Sequence, residues 1–356
     1  MSLSELRKRI DTLDEKIIRL LNQRADIVLR IGHVKKGAAH EVYVPAREKK
    51  VLNHVRKVNE GPLGDAAILA IYREIMSGSR ALERDIGVAY LGPPSTFTHQ
   101  AVYSRFGGSV KTVACETISD VFNAVECGQT DYGVVPIENS TEGAVTHTLD
   151  EFVGTSLKIC AEIYLRISHH LMARVPLAQV KRIVSHPQVF GQCRSWLHKE
   201  MPHADLVPVT STAKAAEKAS REKHTAAIAG VLVGETYGLN VLASDIQDIS
   251  GNMTRFLVIG RNYGKATGED KSSILFSVKH EAGALHSALG SLKRCGLNMT
   301  KIESRPSRLK AWEYFFFVDI AGHIDEEPVA KALRDLEKHC VFMTVLGSYP
   351  RQNVES

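Results

Sequence analysis

The sequence predicts a multidomain protein: an all-α segment that dimerises by intertwining its helices, an α/β segment, and a ferredoxin-like α+β segment. Three observations carry this reading. A heptad seam runs through the first 34 residues. From Ile86 to about Gly264, short apolar runs alternate with helical stretches. From Ile274 the elements follow the order β-α-β-β-α-β, that of the ferredoxin-like sandwich. At 356 residues the chain exceeds one hydrophobic core, so two or three domains are expected.

Leu6, Ile10, Leu13, Ile17, Leu20, Arg24, Ile27, Ile31 and Val34 follow a 4-3-4-3 spacing, the pattern of a long helix packed along another. Ser2 and Glu5 make a capping box at its start, and Gly37 supplies its stop. Arg24 stands where an apolar residue belongs. A buried guanidinium needs an anion, and no acidic residue of this helix lies on the seam. The alternatives are a snorkelling arginine or an ion pair to another helix. Arg7 and Lys35 flank the seam on the same side but roughly 42 Å apart along the axis. One chain cannot bring them into one pocket. An antiparallel partner helix brings Arg7 of one protomer toward Arg24 and Lys35 of the other. That predicts an intertwined homodimer with cationic pockets between chains, suited to a small ligand with two carboxylates.

The rest of the all-α segment, residues 1 to 84, follows from local signals. After a loop from His40 to Val44, a second helix starts near Pro45, a good first-turn residue, and runs through Arg47 and Glu48 toward Val58. Gly61-Pro62 breaks the chain. A third helix covers Asp65 to Arg84, with Ile68, Ile71, Ile75 and Leu82 at helical spacing.

In the α/β segment, residues 85 to 264, strands are expected at Gly87–Leu91, Val110–Ala114, Tyr132–Pro136, Lys158–Leu165, Ile183–Ser185, Leu206–Val209, Ala226–Ala229 and Phe256–Ile259. They read as parallel strands joined by crossover helices. A polar linker, Lys265–Lys271, leads to the last segment, residues 271 to 350. There Ile274–Val278, Asn298–Glu303, Tyr314–Ile320 and Phe342–Leu346 are expected strands, and Ala284–Cys295 and Glu326–His339 expected helices.

The net charge of +5 is mild and its basic residues are spread along the chain, so nucleic acid is not an expected partner. The six cysteines are scattered without a CxxC pair and read as reduced thiols of a cytoplasmic protein. No metal-ligand spacing is found, and no metal or cofactor is expected. With no signal peptide and no apolar run of about 18 residues, the chain is expected neither to enter nor to cross a membrane.

Several motifs stand in a fixed order: Leu6-Arg7-Lys8-Arg9-Ile10, Arg24, Lys35 and Arg47-Glu48, then Gly92-Pro93-Pro94-Ser95-Thr96-Phe97, the run from Asp131 to Gly143, Ser185-His186-Pro187-Gln188, Ser211 to Ala216, and Gly251-Asn252-Met253-Thr254-Arg255-Phe256. Gly283-Ala284-Leu285 and Glu303-Ser304-Arg305-Pro306 follow. Together they resemble the bifunctional chorismate mutase–prephenate dehydratase family of phenylalanine biosynthesis, with a C-terminal ACT regulatory domain, over essentially the full length.

The resemblance implies that the helical segment rearranges chorismate to prephenate. That pericyclic step needs a dianion held compactly and its ether oxygen stabilised. By the family pattern, Arg7 of the partner chain and Arg24 bind carboxylates, and Arg47 buttresses the pocket or binds the second carboxylate. Lys35 donates to the ether oxygen. Glu48 takes the substrate hydroxyl, helped by the backbone at Val44. Ser79 supports a carboxylate contact. Glu83 stands where many relatives carry glutamine as the second ether-oxygen donor. An ionised glutamate cannot donate, so Glu83 is expected to work protonated, with mutase activity falling as pH rises.

The same resemblance implies that the α/β segment is a two-lobed, periplasmic-binding-protein-like domain that decarboxylates and dehydrates prephenate to phenylpyruvate. Thr254 is the catalytic candidate, hydrogen-bonding the leaving oxygen. Arg255 either binds a carboxylate or forms a structural ion pair. Asn139, Ser140 and Thr141 follow a buried strand and offer polar groups at its C-terminal end. Ser95 and Thr96 open a helix whose free N–H groups suit a carboxylate; many relatives carry glycine at 95 and serine at 98, where this chain has Ser95 and Thr98. His186 and Gln188 are cleft candidates, with helix capping an equal alternative. In the ACT segment, Gly283, Ala284, Leu285, Glu303, Ser304, Arg305 and Pro306 are the expected effector residues, and phenylalanine the expected effector.

A different class is a non-catalytic amino-acid-sensing regulator with a periplasmic-binding-like sensor. The first helix, about thirty residues long with a cation in its seam, speaks against a DNA-binding helix-turn-helix. A nucleotide-dependent dehydrogenase would need GxGxxG after the strand near residue 90, and Gly87–Gly92 lacks it.

Overall fold

The computed structural model describes residues 2–35, 43–307 and 313–352. Its contacts divide the chain into two units: Met1–Gly87 with Arg105–Lys111, and Val88–Ser104 with Thr112–Ser356.

The first unit holds α1 (Leu3–Lys35), α2 (Pro45–Val58) and α3 (Asp65–Glu83). The capping box at the start of α1 is present: Glu5 N–H donates to Ser2 Oγ (3.2 Å) and Ser2 N–H to Glu5 Oε2 (2.7 Å). The expected stop at Gly37 lies outside the described residues, as does the loop from residue 40 to 42. Pro45 occupies the first turn of α2. Along α1 the half-buried positions are Arg24, Ala25, Val28, Leu29 and Gly32, on the stretch that meets α3. The apolar seam points elsewhere: its aliphatic residues are 44% to 85% exposed, so no described element of the same chain covers it. Among the described residues the unit's own core is small: Tyr43, Val55, Leu69, Met76, Ile86 and Phe106, with the rings of Tyr43 and Phe106 4.7 Å apart.

The second unit is built on three sheets. Its chain runs through β1 (Gly87–Leu91), α4 (Phe97–Phe106), β2 (Lys111–Cys115), α5 (Ile118–Glu126), β3 (Tyr132–Asn139), β4 (Gly143–Ala144), α6 (Thr146–Glu151) and β5 (Lys158–Arg166). It then crosses to a second lobe: β6 (His170–Ala173), β7 (Arg182–Ser185), α7 (Pro187–Gln192), α8 (Arg194–Glu200), β8 (Asp205–Pro208), α9 (Thr212–Arg221), β9 (Thr225–Ala229), α10 (Val231–Tyr237) and β10 (Asn240–Ala243). β11 (Met253–Gly260) returns to the first lobe. The last segment is β12 (Asp270–Val278), α11 (Ala284–Arg294), β13 (Met299–Pro306), β14 (Tyr314–Ala321), α12 (Glu327–Glu337) and β15 (Cys340–Pro350).

The first sheet has the order β2-β1-β3-β11-β5, with β4 on β3, and the second β10-β6-β9-β7-β8. The expectation of all-parallel sheets is corrected. β1 and β3 are parallel, as are β7 with β8 and β9, but β11 runs antiparallel to both β3 and β5, and β6 antiparallel to β9 and β10. The reason is connectivity. β11 enters the first sheet from the second lobe, so it runs opposite to the strands between which it inserts. β5 and β11 pair along their length, from Arg166 opposite Met253 to Lys158 opposite Gly260, so both lobe crossings lie side by side at one end.

The third sheet, β13-β14-β12-β15, has the expected ferredoxin-like order. One face packs on α11 and α12 through Ile274, Phe276, Ala288, Leu292, Val318 and Leu336. The other face gives Leu275, Phe317, Leu346 and Tyr349 to a core shared with Val135, Ile137, Phe152 and Leu257 of the first lobe. The third sheet and the first lobe therefore share one core. Among the described residues no helix is long and apolar enough to cross a membrane.

Candidate functional site

In the helical unit, Arg24 Nη1 donates to Ser79 Oγ at 2.5 Å, and Ser79 Oγ in turn donates to the Ile75 carbonyl (2.7 Å). Two turns further along α1, Gly32 meets Glu83: a Cβ there would lie 3.3 Å from Glu83 Cγ. α1 and α3 thus bring Arg24, Ser79 and Glu83 to one face. Arg24 is half-buried, and its hydrogen-bond partner is a hydroxyl, not a carboxylate. Arg7 is exposed and about 25 Å away along the helix. Val44 and Arg47 are exposed beside the start of α2. Lys35 ends α1, and its side chain lies outside the described residues.

Glu48 departs from expectation. It is buried, and its carboxylate is held by Arg80 and by Arg105 Nη2 (3.4 Å). Arg80 Nη2 also donates to the Phe106 carbonyl (2.6 Å), and Arg105 Nε to the Tyr43 hydroxyl (2.5 Å). The expected ligand of a substrate hydroxyl is instead the anion of a buried three-residue ion cluster. Two guanidiniums on one carboxylate repay the desolvation that a lone buried carboxylate would suffer.

The α/β unit gathers its candidates where the chain crosses between lobes. Thr254 on β11 lies opposite Asn139 at the end of β3. Asn139 Nδ2 donates to Thr254 Oγ1 and to Asn252 Oδ1, each at 2.8 Å. Asn139 Oδ1 accepts from Thr141 N–H (3.0 Å), Thr141 Oγ1 (2.7 Å) and Glu142 N–H (3.2 Å). Three donors on the oxygen fix which way the amide faces. Because Thr254 Oγ1 accepts from Asn139, its own proton is left to donate to a ligand. Ser140 locks the same turn: its N–H donates to the Met253 carbonyl, and its Oγ accepts from Met253 N–H, both at 2.9 Å. Ser140 and Thr141, expected to face substrate, use these groups to hold the turn.

Across the cleft, Glu142 accepts from Gln188 Nε2 (2.9 Å) and Gln192 Nε2 (3.1 Å), tying the first lobe to α7. Gln192 Oε1 also meets His169 Nε2 at 2.7 Å. Burial lowers the His169 pKa. His186 caps α7, its Nδ1 accepting from Gln188 N–H (3.3 Å). Asn252, Glu142 and Gln192 complete the site and were not singled out from the sequence. The first two stand inside the recognised motifs, and only the turn geometry separates them from their neighbours.

Ser95 is buried in the left-handed region (φ 67°), a conformation in which glycine carries no steric penalty. Its N–H donates to His99 Nδ1 (3.0 Å) and its Oγ meets Thr236 Oγ1 (2.7 Å), so the N–H expected to be free for a carboxylate is engaged. Thr96 is half-buried beside it, its hydroxyl on the Leu91 carbonyl (3.3 Å). His99 stacks on Tyr90 with ring centroids 4.3 Å apart, and burial lowers its pKa.

Arg255, whose two readings were open, lies in a buried ion pair. Nε donates to Glu162 Oε2 (2.9 Å), Nη1 to Asp319 Oδ2 (2.6 Å) and Nη2 to the Tyr349 hydroxyl (3.0 Å). A strand's successive side chains alternate faces, so Thr254 turns to the cleft and Arg255 to the third sheet. Of its two readings, the geometry is that of the structural ion pair: the anions beside Arg255 are the protein's own.

In the last segment Gly283 adopts φ 81° at the start of α11, followed by the half-buried Ala284 and Leu285. The edge strand β13 carries Glu303, Ser304, Arg305 and Pro306. Arg305 is held by both oxygens of Asp150 (3.0 Å each) on α6, which draws it away from a free effector role. Between α11 and β13, Leu289, Leu292, Lys293, Leu297 and Met299 line a cavity of about 410 Å³.

Comparison with known proteins places three families along the chain. The chain matches the family models for chorismate mutase type II over residues 6–84, prephenate dehydratase over 88–263 and the ACT domain over 272–338. It is 48% identical over 354 residues to the bifunctional chorismate mutase/prephenate dehydratase of Aquifex aeolicus, spanning 98% of both chains. The Escherichia coli protein of the same description is 32% identical over 98% of this chain and 96% of that relative. Among solved structures, the prephenate dehydratase of Arthrobacter aurescens in complex with L-Phe superposes with a TM-score of 0.69 at 36% identity, covering 75% of this chain and 90% of that one. The chain belongs to the bifunctional chorismate mutase/prephenate dehydratase family and is an enzyme with both activities.

Proposed function

We propose that the mutase pocket is completed by a second protomer, whose α1 covers the exposed seam and supplies Arg7 beside Arg24, Ser79 and Glu83. Arg7 and Arg24 take the two carboxylates of chorismate, with Arg47 as buttress. Lys35 and a protonated Glu83 donate to the ether oxygen as charge gathers there. Glu48, held by Arg80 and Arg105, positions the start of α2 beside Val44.

In the dehydratase cleft the catalytic group is Thr254. Loss of the ring carboxylate as CO2 and of the hydroxyl as water aromatises the ring. The enzyme's task is to help the hydroxyl leave and to orient the substrate. The observation that carries this reading is the Asn139–Thr254 hydrogen bond, which directs the Thr254 proton outward toward the leaving oxygen. Ser95, Thr96, Ser140, Thr141 and Gln188 shape the cleft around it.

Phenylalanine is the feedback effector, bound at the turn of Gly283, Ala284 and Leu285 and the edge strand β13. The L-Phe complex of the Arthrobacter relative supports this. The enzyme acts in the cytoplasm as a homodimer or a higher assembly of dimers. The test is a coupled assay: chorismate is supplied to purified protein, and prephenate and phenylpyruvate are followed separately, with and without phenylalanine. Both products, suppressed by phenylalanine, are expected. Prephenate alone would remove the role given to Thr254; neither product would favour the sensing regulator.

A further inference from the structure

The residue after the catalytic threonine is anchored through all three of its guanidinium nitrogens. Arg255 is 5% exposed and reaches three partners. One, Glu162, belongs to β5 of the first lobe; two, Asp319 and Tyr349, belong to the ACT sheet. The partners are themselves tied. Ser273 on β12 bonds Asp319 Oδ1 (2.5 Å) and the Tyr349 hydroxyl (2.7 Å), and Lys271 Nζ donates to Glu162 Oε2 (2.7 Å). Nothing flexible separates Asp319 from Thr254: one ion pair, one side chain and one peptide unit connect them. Just beyond, the β3–β11 register shifts between Arg255 and Phe256, a bulge beside the site. On the other side Asp319 pairs in register with Lys301 of β13, the strand that carries the expected effector residues.

We propose that the Arg255–Asp319 ion pair is a positioning link through which the ACT sheet sets the Thr254 hydroxyl. Resting on the reading of Thr254 as catalytic and of phenylalanine as effector, it names how one governs the other. A shift of β14 against the first lobe moves Asp319. Arg255, held between Asp319 and Glu162, is drawn with it, because parting one bond of a buried charge pair is strongly disfavoured. Thr254, one residue away on the same strand, then moves against Asn139, and the proton that assists departure of the leaving group is misaimed. Substrate contacts made elsewhere in the cleft are untouched, so the effect falls on kcat. Spatial intermediacy alone does not establish coupling, and the effector response of variants does.

The test uses the full chain with prephenate as substrate. Asp319→Asn keeps the side chain's size and its place beside Ser273 while removing the charge. Expected is about a tenfold loss of dehydratase kcat, with KM for prephenate within about twofold. Phenylalanine, still bound by the variant in calorimetry, should change its rate by less than about twofold even at saturation. A lowered kcat with the full phenylalanine response would overturn the link, leaving the pair merely structural. A raised KM with kcat retained would overturn it differently, making Arg255 a substrate ligand. If Asp319→Asn does not fold, Tyr349→Phe removes a single hydroxyl and is read the same way: a lowered kcat and blunted response support the link, and wild-type values of both overturn it. If the wild-type rate ignores phenylalanine, the effector reading fails on its own, and the kcat-against-KM split still decides the positioning role.

Discussion

Asn139 and Thr254, 115 residues apart in sequence, are joined by a 2.8 Å hydrogen bond in which the amide donates and the hydroxyl accepts. The direction matters, because it leaves the threonine proton for substrate. Asn139→Ala should lower dehydratase kcat by roughly 10²-fold, the scale of a lost positioning of an acid–base group. Asn139→Asp should be worse, since its carboxylate accepts the very proton that Thr254 is meant to give. Steady-state kinetics on prephenate, with mutase activity as an internal control, decides. An Asp variant as active as wild type would sink the orientation argument.

Glu83 should be functionally replaceable by glutamine. If it works as a protonated donor, Glu83→Gln keeps the donor at all pH values. Mutase kcat of the variant should stay within about threefold of the native chain, because an amide nitrogen donates to the ether oxygen as a carboxyl hydroxyl does. A loss of about a hundredfold or more would refute the donor role.

Two buried histidines predict acid sensitivity. Burial lowers the pKa of both His99 and His169, the latter also lowered by His170 but raised by its bond to Gln192. In the unfolded chain each takes a proton near the ordinary value of about 6.5. Below that pH the unfolded state binds more protons than the folded one, so stability falls as pH drops and is independent of these groups above it. Protonation of His99 would also remove the acceptor for the Ser95 N–H. Melting temperatures from pH 8 to pH 5 should decline only below about 6.5. His99→Asn, which retains an acceptor but not the titration, should show a shallower decline.

The exposed seam makes a prediction about assembly. Leu13→Lys with Leu20→Lys places two ammonium groups on the face proposed to meet a second protomer. Sedimentation should show a monomer, with mutase activity down at least about a hundredfold, because Arg7 would no longer reach its pocket. A fully active monomer would exclude the shared pocket.

Much of the fold was legible because it is local. The capping box at Ser2 and Glu5, Pro45 at the start of α2, and the bounds of β1 depend on residues within a turn or two of each other. Strand direction does not, and the parallel expectation failed at β11, whose orientation is set by a detour through the whole second lobe. β11 also starts three residues ahead of the expected Phe256, at Met253, because Thr254 and Arg255 break the apolar run that marks a strand. The same distance effect hid the partners of charged residues. Glu48 offered no sign that Arg105 would claim it, and Arg255 finds Asp319 and Glu162 at separations of 64 and 93 residues. Motif order located the dehydratase turn; only packing revealed that Asn139 donates to Thr254.

The detour has a bearing on how the chain is made. The second lobe is one uninterrupted stretch, whereas the first is split around it and stays open until its late strand is inserted between β3 and β5. As the protein leaves the ribosome, the second lobe can close on itself while the first still exposes the unpaired edges of two strands. Asn139 therefore cannot meet Thr254 until the whole second lobe has been synthesised. A chain that ends before residue 253 carries every strand of the second lobe but lacks β11, Thr254 and the whole third sheet.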